Sequence, residues 1–355
     1  MNINIEISNI NKHFFSCENG DIHDESVNKY NTRLINYCFY SKNECIISNI
    51  IKKMRYYSSR FLVLEDYDFV DIGQLNEHFV DKCNLTDDVR YLIFKYKNRR
   101  LVAFNDFLFN IVSPKLFILN VIESFSHLLT SLIQLNDNNM CFFNLSPHNI
   151  GFDIDCGEKP VIRNFQTSLI ISKMDASYIT NIIKRTKDYT HKPLEVHILF
   201  YLIQNDISTI SYSFIQTVCE VFIKNASFLA FFSEEVVSSY KESCVNSLMK
   251  YINRPKTDII LDIIENSDKW DVYSLSILYL HIFNSISHVF SLQPGFITKI
   301  SSVLFRNTHP DPSKRQSLKQ LADYYDGLFA VETNWAFVKN LPLNKMQGLF
   351  DLLGK

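Results

Sequence analysis

Apolar positions recur with a period of two early in this 355-residue chain and with a helical period later, and the change of period organises it. Residues 1–6 (MNINIE) alternate apolar and polar, as a half-buried strand does. Residues 34–40 (LINYCFY), 60–70 (RFLVLEDYDFV) and 90–96 (RYLIFKY) are rich in β-branched and aromatic residues and predict further strands. Between them, residues 44–54 place Ile46, Ile47, Ile50 and Ile51 on one face at helical spacing. From Pro114 onward the pattern is helical. Phe117, Val121, Phe125, Leu128 and Leu132 form one stripe, with proline in the first turn and the polar run 136–139 as the stop. Short strands are predicted over 140–143, 150–153 and 161–165, with Gly157 in the turn between the last two. Helices follow over 197–202, 214–224 and 236–251, with Phe214, Val218, Val221 and Phe222 on one face and Val245, Leu248, Met249 and Ile252 on another.

Composition narrows this picture without redirecting it. Hydrophobic residues make up 46% and charged residues 21%, as in a globular chain able to bury a large core. The net charge of -2 gives no global case for nucleic acid or an anionic membrane. Two short basic stretches, Lys52-Lys53-Met54-Arg55 and Lys97-Asn98-Arg99-Arg100, read as solvated faces or turns. The longest apolar stretches, around 107–117 and 228–232, are too short for a membrane span, and the N-terminus lacks the features of a signal peptide. Eight cysteines are scattered without Cys-x-x-Cys pairs or histidines at ligand offsets, which predicts reduced thiols, an intracellular protein and no metal site.

The chemistry-bearing segment reads Phe142-Phe143-Asn144-Leu145-Ser146-Pro147-His148-Asn149, followed by Asn164-Phe165-Gln166. It resembles the catalytic and metal-binding loops of the protein kinase family, His-Arg-Asp-Leu-x-x-x-Asn and Asp-Phe-Gly. Leu145 and Asn149 keep their places, whereas the positions of the catalytic and metal-binding aspartates hold Asn144 and Asn164. Trp270-Asp271-Val272-Tyr273 resembles the start of the family's buried central helix. There the aspartate hydrogen-bonds the catalytic-loop backbone; a helix N-cap is the simpler role for Asp271. His309-Pro310-Asp311-Pro312-Ser313-Lys314-Arg315 resembles the turn whose arginine pairs with the glutamate of Ala-Pro-Glu, here Pro193-Leu194-Glu195. The resemblance implies an α+β, bilobal protein kinase-like fold. Residues 1–100 would form a small strand-rich N-lobe, 101–325 a larger helical C-lobe, and 326–355 a C-terminal tail. Glu195 and Asp271 lie 76 residues apart, far more than the family uses, so 196–267 is expected to be a helical insertion that remodels the substrate groove.

The departures bear on function. Only Gly20 and Gly73 precede residue 150, so no glycine-rich loop is present to approach nucleotide phosphates. The strand before the helix has no lysine; Arg33 is a weak stand-in, and Glu44 reads as a surface or helix-start charge. Ser146 replaces a phosphate-steadying lysine, and His148 falls at a variable position. The expectation is a catalytically degenerate kinase-like protein, a pseudokinase, that scaffolds or binds protein partners and needs no cofactor. Kinase-like proteins of large DNA viruses show similar divergence, which would place it in a host cytoplasm or a virion. One alternative is an atypical active serine/threonine kinase using ATP and Mg²⁺ through Asp153, Asp155 and Glu158, although these also read as turn decoration. Another is nucleotide binding without catalysis.

Overall fold

The computed structural model describes residues 30–74, 80, 85–186, 189–205, 207–291, 295–331 and 341–354; the strand predicted at 1–6, Cys17 and Cys83 lie outside them. The first elements are β1 (Tyr30–Asn36), α1 (Phe39–Ile51), β2 (Leu64–Val70), β3 (Tyr91–Lys97), β4 (Leu101–Ala103) and α2 (Phe104–Phe109). Next come α3 (Pro114–Asp137), β5 (Met140–Cys141), β6 (Ile150–Asp153), β7 (Lys159–Ile162) and β8 (Leu169–Ile170). The remainder is helical: α4 (Ala176–Arg185), α5 (Leu194–Gln204), α6 (Tyr212–Asn225), α7 (Glu234–Leu248), α8 (Lys256–Ile264) and α9 (Trp270–Phe290). Three helices close the chain: α10 (Phe296–Asn307), α11 (Leu318–Val331) and α12 (Met346–Leu353). The fold mixes helices with small sheets. It divides into two compact units, Met1–Leu101 with Asp153–Ser168, and Val102–Phe152 with Leu169–Lys355. Ile162 bridges to Phe61 and brings its segment to the strands of the first unit.

In the first unit, β3 runs between β1 and β2 and pairs antiparallel with both. A strand with two neighbours has both of its edges paired, and Leu92, Phe94 and Tyr96, alternate residues on one face of β3, form a core with Leu64. The strand expected at 34–40 lies earlier, at Tyr30–Asn36, because the chain turns into α1 at Cys38. There the Cys38 N–H donates to Ser41 Oγ at 2.8 Å and closes the helix start. The buried face of α1 also corrects the sequence reading. Ile47 and Ile51 are buried, but Ile46 is 43% exposed and Ser41, Asn43, Glu44 and Ser48 are buried in its place. Polar side chains occupy that face because the neighbouring backbone needs partners: Ser48 Oγ accepts from the Leu64 N–H at 3.2 Å.

In the second unit, α9 is buried on nearly every side. Tyr279 of α9 donates to Ser124 Oγ of α3 at 2.8 Å, and Tyr325 of α11 donates to the Ile122 carbonyl of α3 at 3.1 Å. Helix α3 begins as its sequence predicts, with Ser113 accepting from the Leu116 N–H and proline in the first turn. By length and composition α3 is also long and apolar enough to cross a membrane. It passes the same test as a core helix would, with Phe117, Val121, Phe125, Leu128 and Leu132 buried. Helices α6, α7 and α8 fill the segment expected as an insertion. Val218, Phe222 and Leu248 face inward there, but Val221 and Met249 are 39% and 48% exposed. Helix α12 seats Phe350 against Phe109 and Phe117, with ring centroids 5.4 and 5.9 Å apart.

Candidate functional site

The loop after β5 is built around a strained residue. β5 is held by antiparallel pairing with β8, Met140 opposite Ile170 and Cys141 opposite Leu169. The Asn144 N–H then donates to the Phe142 carbonyl at 2.8 Å, closing a tight turn centred on Phe143 at φ +65°. A bulky residue in that region costs of order 1–3 kcal/mol and persists only where its surroundings over-determine it. Phe143 is gripped in three ways. Asp271 accepts from the Phe142 and Phe143 N–H groups at 2.6 and 2.8 Å, one carboxylate oxygen each. Lys192 Nζ donates to the Phe143 carbonyl. The Phe143 ring lies 4.6 Å from that ammonium and 5.4 Å from the Trp270 ring. Asp271 is thus the loop's anchor and not an N-cap; the residue at the cap position of α9 is Lys269. Burial pushes the Asp271 carboxyl up, and the two N–H donors, Cys141 and the Lys192 charge pull it back.

Lys192 also fixes the chemistry of Asn144. Its ammonium lies 3.2 Å from Asn144 Oδ1, and an ammonium only donates, so that oxygen is the acceptor and the other amide atom is the NH₂ donor. A side chain so engaged presents a donor where a general base must present a lone pair. Asn149 is used within the loop as well, its Nδ2 donating to the Asn144 carbonyl at 2.8 Å and to Ser146 Oγ at 3.3 Å. Ser146 is buried and His148 exposed. Reading the sequence did not single out Lys192. Its place directly before Pro193-Leu194-Glu195 is its one mark in the sequence; its burial, to 2% exposure, comes from the fold.

Three residues further on, Glu195 meets Arg315 in a two-pronged pair, with Nη1–Oε1 at 2.6 Å and Nη2–Oε2 at 2.9 Å. Arg315 Nε also donates to the His309 carbonyl at 2.7 Å, and the guanidinium lies over the Tyr273 ring. Burial works against the Arg315 charge, but the Glu195 carboxylate outweighs it and holds Arg315 above its ordinary range. Two residues further along α5, His197 places Nε2 3.1 Å from the Tyr189 carbonyl, and burial pushes its pKa down to about 4. The unfolded chain, with an ordinary histidine near 6.5, takes up a proton that the folded chain refuses. Stability from His197 is therefore present above pH 6.5 and is lost as pH falls toward 4, by about 3 kcal/mol in all. In His197→Gln the decline of the urea midpoint over that interval should be visibly shallower.

Asn164 belongs to the strand-rich unit. It sits at φ +65°, ψ +69°, a left-handed conformation that asparagine tolerates better than most residues. The loop it opens is tied to α1. Asn43 Nδ2 donates to the Gln166 carbonyl at 3.0 Å and the Ser168 carbonyl at 2.8 Å, and the Phe165 ring stands edge-on to Phe61. Glu44 is not the surface charge that the sequence suggested. It is 1% exposed, and its Oε1 accepts from the Tyr96 hydroxyl at 2.8 Å. Burial pushes its carboxyl up, opposed by Tyr96, the Arg33 charge and the Gln166 side chain. Arg33 of β1 lies 5.6 Å from the Tyr96 ring, and its charge favours the ionised Glu44.

The carboxylates considered for a rearranged metal site are used otherwise. Asp153 is 3.4 Å from Arg99 and accepts from the Asp155 N–H, Asp155 lies 3.8 Å from Arg100, and Glu158 is in the turn at φ +56°. Among the described residues no group of three or more His, Cys, Asp or Glu is placed to hold a metal ion.

No family model and no curated protein matches the chain. Among solved structures it is similar to the twitchin kinase region from C. elegans (Fn31-NL-kin-CRD-Ig26), at 12% identity and a TM-score of 0.45. The match covers 94% of this chain and 47% of that one, so the chain spans about half the length of this neighbour.

Proposed function

We propose that this chain is a catalytically degenerate protein kinase-like protein that acts by binding a protein partner and not by transferring phosphate. The observation that carries this reading is Asn144. It stands where the resemblance expects the catalytic base, it is neutral, and its one acceptor oxygen is engaged by Lys192. Asn164, where a metal-binding carboxylate is expected, is neutral too. In the strand-rich unit Asp153 and Asp155 are matched by Arg99 and Arg100, so that unit's residues do not fit a Mg²⁺–nucleotide complex of the usual kind. Support for a binding role comes from α6–α8 and the turn after α7, which leave Tyr212, Val221, Met249 and Leu261 between 39% and 49% exposed. One observation favours the runner-up, an active or nucleotide-binding serine/threonine kinase: the Arg33 charge favours the ionised form of buried Glu44, as a lysine's would.

Thermal-shift titration with ATP and Mg²⁺, run beside a phosphate-transfer assay, separates the two. A ligand at a hundredfold excess over its Kd stabilises the native state by about 2.7 kcal/mol. The expected result is no Mg²⁺-dependent shift and no transfer. A shift of that size with transfer to a serine or threonine would establish the runner-up. Asn144→Ala and Asn164→Ala should leave partner binding unchanged.

A further inference from the structure

Basic stretches that are separate in sequence meet in the strand-rich unit. Arg99 Nη2 donates to the Ser58 carbonyl, the Ile154 N–H to the Arg100 carbonyl at 3.1 Å, and the Ile162 N–H to the Arg60 carbonyl at 2.9 Å. Residues 52–60, 97–100 and 153–163 are thereby stitched together, and they carry nine lysines and arginines against three carboxylates. The whole chain has a net charge of -2, so this excess is concentrated locally and hidden in the total. Of the carboxylates, Asp153 is buried beside Arg99, which leaves Asp155 and Glu158 at the surface. Lys53, Arg55, Lys97, Arg100 and Lys159 are exposed.

One aromatic stands among these cations. Tyr56 is 64% exposed at φ +57°, and among the described residues of these segments it is the one exposed large hydrophobic. Packing gains little from a ring left this open, yet the backbone is held in a sparsely populated region to present it. Arg55 lies over the ring, its Cζ 4.6 Å from the centroid and its Nη2 2.7 Å from the hydroxyl. A guanidinium over one face of an exposed ring, in segments with an excess of cations, suits a chain of alternating bases and phosphates, with the other face left for a base. An anionic lipid surface would call for several protruding apolar side chains, and an acidic peptide brings no planar group for the ring. We propose that this surface binds single-stranded nucleic acid, with phosphates at Lys53, Arg55 and Arg100 and a base stacked on Tyr56. The inference is independent of whether the chain transfers phosphate.

Fluorescence anisotropy of the full chain with a labelled single-stranded oligonucleotide of roughly 12 residues tests it. With about three phosphates neutralised, affinity should fall on the order of 20-fold between about 50 and 200 mM salt. Charge reversal at Lys53, Arg55 and Arg100 together should abolish binding, and Tyr56→Ala should weaken it about tenfold. Lys241→Glu in the helical unit should leave it unchanged, with urea midpoints confirming that each variant is folded. Absence of binding at the lower salt overturns the proposal, as does binding that survives the charge reversal. An unaltered affinity in Tyr56→Ala, with equal binding to polyglutamate or to phosphatidylserine vesicles, also overturns it, because the surface would then attract any polyanion.

Discussion

Arg315→Ala is expected to destabilise the fold by roughly 3–5 kcal/mol, and Glu195→Ala by a similar amount. The Arg315 side chain is 0% exposed and that of Glu195 4%, so removing either leaves the other as an uncompensated charge out of reach of water. The removed guanidinium would also abandon the His309 and Pro310 carbonyls that it now serves. Urea unfolding at neutral pH reads this directly. Because most of the loss is the orphaned partner, the double variant should cost clearly less than the sum of the two single ones. Additive losses, or a single loss below about 1 kcal/mol, would mean that the pair does not anchor this region.

Asp271→Ala should be nearly as damaging, for a different reason. It strands two buried N–H groups, each costing about 1–3 kcal/mol, at a turn already strained at Phe143. It also removes a carboxylate whose charge interacts with the buried Lys192. Lys192→Met should therefore cost less in the Asp271→Ala background than in the parent chain. Equal costs in the two backgrounds would show that Lys192 answers to Phe143 and Asn144 alone.

Much of this arrangement is readable from residue order, and the unreadable part has a common cause. The pairing of Glu195 with Arg315 and the reach of Asp271 are suggested by motifs whose residue types leave few other uses. Helix α3 is readable because its apolar stripe, cap and first-turn proline agree. Glu44 is not. In a window of isoleucines a single carboxylate reads as solvent-facing, and its burial depends on Tyr96, 52 positions away, and on Arg33 in a strand whose bounds were misplaced. Lys192 escapes for a similar reason, since the carbonyl and amide that receive it lie 49 and 48 positions earlier. Local pattern reports which way an average side chain of a given type faces. A polar group committed to a distant backbone atom leaves no such periodic trace.

The grip of Asn43 on two carbonyls has a consequence for how this chain tolerates substitution. Every residue type contributes a backbone carbonyl, so the side chain at position 168 is irrelevant to that bond, while position 43 has no equivalent freedom. Saturation mutagenesis should therefore find a lopsided pair: position 168 accepting small alternatives, and position 43 rejecting even aspartate, which is nearly isosteric but cannot donate.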